Sequence, residues 1–239
     1  VSTLTLVRHG QATPFEQDTD RLSELGERQA RALAQDLVER DVRFDEAYCG
    51  DLVRQLRTAE VVARTFREAG RPFPDLVVDE RLNEYGAEGI LRVLAPQLSL
   101  ANPEFRELMR ASEAARGGAD RNRHFQRMLE ALMDHWLGGE YELPEMESWA
   151  DFAARTRGVL HEIVGRGGGG RRVVVFTSGG VIGRAVQLSL DAPDHAMLRL
   201  NWRVKNASRT EFTFGAGRLS LDAFNVTSHL ETEGLESYR

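Results

Sequence analysis

The sequence predicts an α/β protein with a mainly parallel sheet and helices on both of its faces. Two observations carry this: short apolar runs alternate with amphipathic stretches over most of the chain, and a single hairpin pattern lies near the end. Thr3 to Val7 reads as a buried strand broken by Gly10. Leu22-Ser23-Glu24-Leu25-Gly26-Glu27 opens a helix to about Arg40, with Leu25, Ala30, Leu33, Ala34 and Leu37 as its apolar stripe. Phe44 to Cys49 is a second strand, closed by Gly50-Asp51. A long helix follows, on which Leu52, Leu56, Ala59, Ala63 and Phe66 recur at three- and four-residue intervals. Arg71-Pro72-Phe73-Pro74 is a turn and Leu76 to Asp79 a third strand.

From about Ile90 to Pro144 the pattern changes to Arg, Glu, Ala, Leu and Met. Helical spacing is evident at Phe105 to Met109 and at Phe125 to Trp136, with Gly117-Gly118 between them and Gly138-Gly139 after them. The expectation is one domain over 1–239 with a helical insertion or cap at about 90–145. Helix resumes near Trp149, with Phe152, Val159 or Leu160, and Ile163 on one face. Gly165 to Gly170 is a flexible connector. Arg172 to Thr177 is the clearest buried strand, and Ser178-Gly179-Gly180 starts a helix through Leu190. Thr210 to Phe214 and Arg218 to Ala223 flank Gly215-Ala216-Gly217 as a hairpin, giving the sheet an antiparallel edge.

Composition narrows the function. A net charge of -6 argues against general nucleic-acid binding, so any anion site must be a local cluster of positive charge. No apolar run approaches the ~20 residues that span a bilayer, and the start has no signal-peptide pattern, so no membrane role is expected. The single cysteine, Cys49, excludes an internal disulfide and fits a cytoplasmic location. It reads as a small apolar residue ending a strand. Oligomeric state is not legible.

Four strands end in chemically capable residues, and ligands of open α/β sheets gather at the carboxyl ends of strands. The first ends in Arg8-His9-Gly10 and the second in Gly50-Asp51, with Arg54 one turn into its helix. The third leads to Arg81-Leu82-Asn83-Glu84 and the fourth to Thr177-Ser178-Gly179-Gly180. If these strands are parallel neighbours, two Arg, one His, one Glu and a helix N-terminus converge. That set suits phosphoryl transfer. Arg offers a permanent planar fork for two oxygens, a neutral imidazole can hold the phosphoryl group covalently, and a carboxyl can protonate the leaving alkoxide. A surface salt bridge explains Arg54 poorly, because a cation near a helix N-terminus opposes the macrodipole.

The run Leu6-Val7-Arg8-His9-Gly10-Gln11 resembles the signature of the histidine phosphatase, or phosphoglycerate mutase-like, superfamily. Leu22 to Ala30 resembles its first helix, Gly50 to Glu60 its second-arginine block, and Arg81 to Glu84 its acid/base block. Asn206-Ala207-Ser208 and Phe224-Asn225 through His229-Leu230 resemble its tail. The resemblance implies a three-layer α/β/α sandwich with an inserted helical cap, and no cofactor or metal. It implies that His9 is phosphorylated, that Arg8 and Arg54 bind the phosphoryl oxygens, and that Glu84 is proton donor and then base. The sequence itself holds no Cys-x-x-Cys and no His pair at i, i+4.

In the family's late block a second His contacts the phosphoryl group; Ser178 stands there instead. A neutral hydrogen bond contributes about 0.5–1.5 kcal/mol and one from a charged donor about 1.5–3. The change could therefore slow catalysis about ten- to thirtyfold. Ser178 can serve as an N-cap, or bind phosphate with the Gly179 and Gly180 amides at the helix N-terminus. His124, His135, His161 and His195 are expected to be structural or exposed. The expected function is a phosphomonoesterase acting on a small phosphorylated metabolite. The alternatives are a phosphoglycerate mutase and a low-activity phospholigand-binding module. Arg92, Arg106, Arg110, Arg121 and Arg123 are available to meet further negative charge, although a solvated helix face accounts for most of them.

Overall fold

The computed structural model describes residues 1–13 and 20–238. Strand β1 (Ser2–Arg8) turns Leu4 and Leu6 to one sheet face and Val7 to the other, and all three are fully buried. Helix α1 (Glu24–Glu39) starts at the N-cap Ser23, whose Oγ accepts from the Gly26 amide at 3.1 Å. Such a cap is worth about 1 kcal/mol, and Glu24 and Glu27 in the first turn also favour the helix dipole. Its buried face is Ala30, Leu33, Ala34 and Leu37, the expected stripe, with Leu25 half-buried. Strand β2 (Glu46–Cys49) leads into α2 (Val53–Glu68). The N-cap of α2, Leu52, has no capping side chain; the Val53 amide donates instead to Asp20 Oδ2 at 2.8 Å. Strand β3 (Leu76–Val78) and a 3₁₀ turn (Glu80–Leu82) follow.

One difference lies in α2. The spacing puts Leu52 and Leu56 on the apolar stripe, but both are half-buried, and Gln55 and Thr58 occupy the buried face of the first two turns. Further along, Ala59, Ala63 and Phe66 are buried as expected, and Val62 is buried with them.

By its internal contacts the chain forms two compact units, Val1–Glu84 with Thr156–Arg239, and Tyr85–Arg155. The second holds α3 (Ala87–Ala101), α4 (Pro103–Ala114) and α5 (Arg121–Gly138), and it ends in the first turns of α6 (Trp149–Gly165). Asn102 caps α4 by accepting from the Phe105 amide at 3.1 Å, and Pro103 takes the first helical position. Gly139, at φ +66°, closes α5 in the left-handed conformation that favours glycine. Tyr85, Trp136, Trp149 and Phe152 form an aromatic cluster with ring centroids 5.0–5.9 Å apart.

In the first unit the chain continues through β4 (Arg172–Thr177), α7 (Gly179–Ser189), α8 (His195–Asn201), β5 (Arg209–Gly215) and β6 (Arg218–Val226) to a short helix, α9 (Ser228–Glu231). Strand order is β3-β2-β4-β1-β5-β6. The first four strands are parallel, and β5 and β6 form the predicted antiparallel edge. Val7, Ala47, Cys49, Val174 and Phe176 pack with Leu33, Leu37, Val62 and Phe66 of α1 and α2. Leu4, Leu6, Val173 and Val175 point to the opposite face and are equally buried. Both faces of the sheet are therefore covered, as in a three-layer α/β/α arrangement. Among the described residues no helix is long and apolar enough to cross a membrane.

Candidate active site

The parallel register Arg8↔Thr177 brings the carboxyl ends of β1 and β4 side by side. His9 and Ser178 each lie one residue beyond that pair, and the His9 amide donates to the Thr177 carbonyl at 2.9 Å. The His9 carbonyl accepts from the Ala207 amide at 3.2 Å and from Asn206 Nδ2 at 3.3 Å. Ala207 sits at φ +52°, an unfavourable conformation for a residue with a Cβ. The bonds that hold it there are its own amide to His9 and its carbonyl to His229 Nε2 at 2.9 Å. Gly10 and Gly26 are glycines because two backbones meet: a Cβ on Gly10 would lie 2.4 Å from the Gly26 carbonyl oxygen.

Hydrogen bonding assigns the imidazole tautomer. Nδ1 faces the Gly10 carbonyl at 2.7 Å, so Nδ1 carries the proton. Nε2 then has a lone pair, and it accepts from Arg54 Nε at 3.1 Å. The other end of the guanidinium donates from Nη1 to Asp20 Oδ1 at 2.5 Å. Thr58 steadies this corner, accepting from the Gly10 amide at 3.1 Å and donating to the Arg54 carbonyl at 2.8 Å. Arg8 donates to the Val204 carbonyl.

Burial, then the Arg54 cation, then the Arg8 cation, hold the His9 pKa well below its ordinary 6.5, against the opposing effect of the Gly10 carbonyl. The ring is thus neutral at pH 7. The unfolded chain binds this proton near pH 6.5 and the folded chain only lower, so the contribution to stability is complete above 6.5 and declines as pH falls. A ¹⁵N chemical-shift titration of His9 is expected to show no midpoint at or above 6.5. A midpoint there would contradict the electrostatic reading.

Glu84 approaches from the turn after β3, with its Oε2 accepting from the Gly180 amide of α7 at 3.0 Å. The Thr177 hydroxyl donates to the Leu82 carbonyl at 2.6 Å, and Asn83 Nδ2 donates to Asp51 Oδ1 at 2.5 Å, which together fix the approach. Ser178 is fully buried and stands at the N-cap of α7, but its side chain makes no capping bond. Its Oγ instead accepts from Gln55 Nε2 at 2.7 Å. The Gly180 amide, expected beside Gly179 as an anion donor, is engaged by Glu84. Packing explains why Gly179 is a glycine: a Cβ there would lie 2.3 Å from Asn201 Oδ1.

These contacts bond the His9 imidazole to the Arg54 guanidinium, and they set the Ser178 hydroxyl and the Glu84 carboxyl at the start of α7, all four following strand ends in one unit of the chain. A family model for the histidine phosphatase superfamily (branch 1) matches residues 4–135 and 103–227. The chain belongs to the histidine phosphatase superfamily. No curated protein matches the sequence closely enough to count as a relative. Among solved structures, a mycobacterial glucosyl-3-phosphoglycerate phosphatase in complex with inorganic phosphate is 26% identical. Its TM-score is 0.62, with 96% of this chain and 99% of that one covered. A phosphoglycerate mutase from Bacillus anthracis is 19% identical at TM-score 0.63, covering 98% of this chain and 96% of that one. An Entamoeba histolytica phosphoserine phosphatase mutant in complex with phosphoserine is 20% identical at TM-score 0.60, covering 96% and 100%. The last two share the fold. This histidine phosphatase superfamily member is an enzyme of the phosphatase type.

Other residues of this superfamily member also have assignable surroundings. His161 and His195 are exposed, and His124 and His135 are half-buried in the unit 85–155. Cys49 is a core residue whose thiol pKa is pushed up by burial. Among the described residues no group of three or more His, Cys, Asp or Glu side chains is arranged to hold a metal ion. Asp20, Gln55 and Thr58 were not among the sequence candidates. For Gln55 and Thr58 there was a signal: polar side chains three residues apart, at positions that continue the buried face of α2 toward its N-terminus. Asp20 offered none, because an aspartate before a helix is common.

Proposed function

We propose that this chain is a phosphomonoesterase that hydrolyses a small phosphorylated metabolite through a phosphohistidine at His9. The observation that carries the reading is His9 Nε2, held as an acceptor 3.1 Å from Arg54 Nε because Nδ1 faces the Gly10 carbonyl. In the first step the Nε2 lone pair attacks phosphorus and the ester P–O bond breaks. Glu84 gives its proton to the departing alkoxide, yielding the alcohol. Arg54 turns from Nε2 toward the phosphoryl oxygens, and Arg8 adds a second guanidinium. In the second step the Glu84 carboxylate takes a proton from water, the water oxygen attacks phosphorus, and the P–N bond breaks. Inorganic phosphate leaves, His9 returns to its neutral form and Glu84 is again protonated.

The Nδ1–H bond to the Gly10 carbonyl supports this cycle, because it stabilises the positive charge the ring acquires when Nε2 is phosphorylated. Neutral His9, both arginines and Glu84 together favour turnover over simple ligand binding. A small phosphorylated substrate is further supported by the mycobacterial neighbour, a phosphatase whose structure holds inorganic phosphate. The test is a phosphate-release assay over a panel of phosphorylated sugars, glycerates and amino acids, run beside an isomerisation assay on phosphoglycerate. Phosphate release without isomerisation is expected. Isomerisation flux exceeding release would replace this reading with a mutase, and no release from any substrate would remove it.

A further inference from the structure

Ser178 and Gln55 form a buried pair whose polarity has a chemical consequence. Both side chains are fully buried, and the Gln55 carboxamide nitrogen lies 2.7 Å from Ser178 Oγ. The amide orientation follows from a second contact, because the same nitrogen faces the Leu82 carbonyl at 3.4 Å. Turned over, the amide would set two oxygen acceptors against each other. The hydroxyl of Ser178 is therefore an acceptor toward Gln55, and its single proton remains to be donated elsewhere. Among the described residues no acceptor takes that proton. The hydroxyl does not cap α7, although Ser23 does cap α1.

The cost to Gln55 points the same way. Its Oε1 is buried without a hydrogen-bond partner among the described residues, an arrangement that native proteins rarely keep without a reason. A hydrophobic side chain of similar size would fill the space without that penalty. The gain lies in Ser178, one residue past the register pair that sets it beside His9.

We propose that Gln55 is a positioning residue that locks the Ser178 hydroxyl as a hydrogen-bond donor to the phosphoryl group on His9. The inference rests on His9 being the nucleophile. Gln55 acts through Ser178 and need not touch the substrate. The bond strengthens as charge grows on the phosphoryl oxygens, so its loss lowers kcat more than it raises KM.

The experiment is a double-mutant cycle of Gln55→Leu and Ser178→Ala, with steady-state kinetics on the best substrate and thermal melts to establish folding. Each single variant is expected to lose about tenfold in kcat, the size of one neutral hydrogen bond. The double variant is expected to match Ser178→Ala alone. Full activity in Gln55→Leu, or losses that multiply in the double variant, would overturn the proposal. A second arm stays informative if Gln55→Leu does not fold. An imidazole at position 178 would run into the carboxamide 2.7 Å from the present hydroxyl. Ser178→His is therefore expected to be at least tenfold less active than Ser178→His combined with Gln55→Ala; equal activities would refute the pairing. His9→Ala serves as the control: if it keeps wild-type turnover, the nucleophile reading fails first, whatever the cycle shows.

Discussion

Replacing His9 with alanine is expected to lower phosphate release by on the order of 10³-fold or more while leaving the fold in place. The expectation follows from what the imidazole alone supplies. Its Nε2 lone pair divides one displacement at phosphorus into two, and no neighbouring group can take that part. Arg54 is a permanent cation, the Ser178 hydroxyl is bonded to the Gln55 amide and, among the described residues, to no base, and Glu84 is bound to the Gly180 amide. Water could attack directly in the variant, assisted by the arginines, and that residual route sets the floor. Removing a ring that is 6% exposed leaves a small cavity, so melting is expected to shift only modestly. Wild-type protein quenched during turnover should carry one phosphoryl group, labile to acid and stable to alkali, on the peptide containing His9. An unlabelled peptide, together with activity in His9→Ala within tenfold of wild type, would remove His9 from the mechanism.

The parts of this enzyme legible in its sequence are those where local chemistry and tertiary role coincide. Strand β4 could be read to the residue, because Val173, Val174, Val175 and Phe176 are buried on both sheet faces and Thr177-Ser178-Gly179 ends the run. Arg8 and His9 stand out because Arg8 ends a strand and His9 follows it directly. Helix α3 was harder to see: Ile90, Leu94 and Leu98 lie four residues apart and are fully buried, but Pro96 sits within the helix and interrupts the pattern. Gln55 was hidden by a different effect. Leu52 and Leu56 suggest an apolar stripe in the first turns of α2, yet there the helix turns polar groups inward, toward His9 and Ser178. Ala207 shows the limit of such reading, since nothing in an alanine indicates that its φ will be positive.

Glu84→Gln is the second large effect, and its dependence on the leaving group separates the two proton transfers. Gln is nearly isosteric with Glu, and its Oε1 can keep the bond from the Gly180 amide, now 3.0 Å long. Asn83 remains tied to Asp51, and the Leu82 carbonyl to Thr177, so position 84 stays where it is. What disappears is the exchangeable proton. With an alkyl phosphate the departing alkoxide then leaves unprotonated, and kcat is expected to fall about 10²- to 10⁴-fold. With p-nitrophenyl phosphate the leaving group is stable as an anion, so phosphorylation of His9 should be nearly as fast as in the wild type. Hydrolysis of the phosphohistidine still needs a base for water, and that step stays slow. The variant should therefore release a burst of about one p-nitrophenol per active site and then turn over slowly, with the phosphoryl group accumulating on His9. A loss of equal size on both substrates, without a burst, would mean that the acid and base reside on another residue. Glu84 would then serve only to fix the N-terminus of α7.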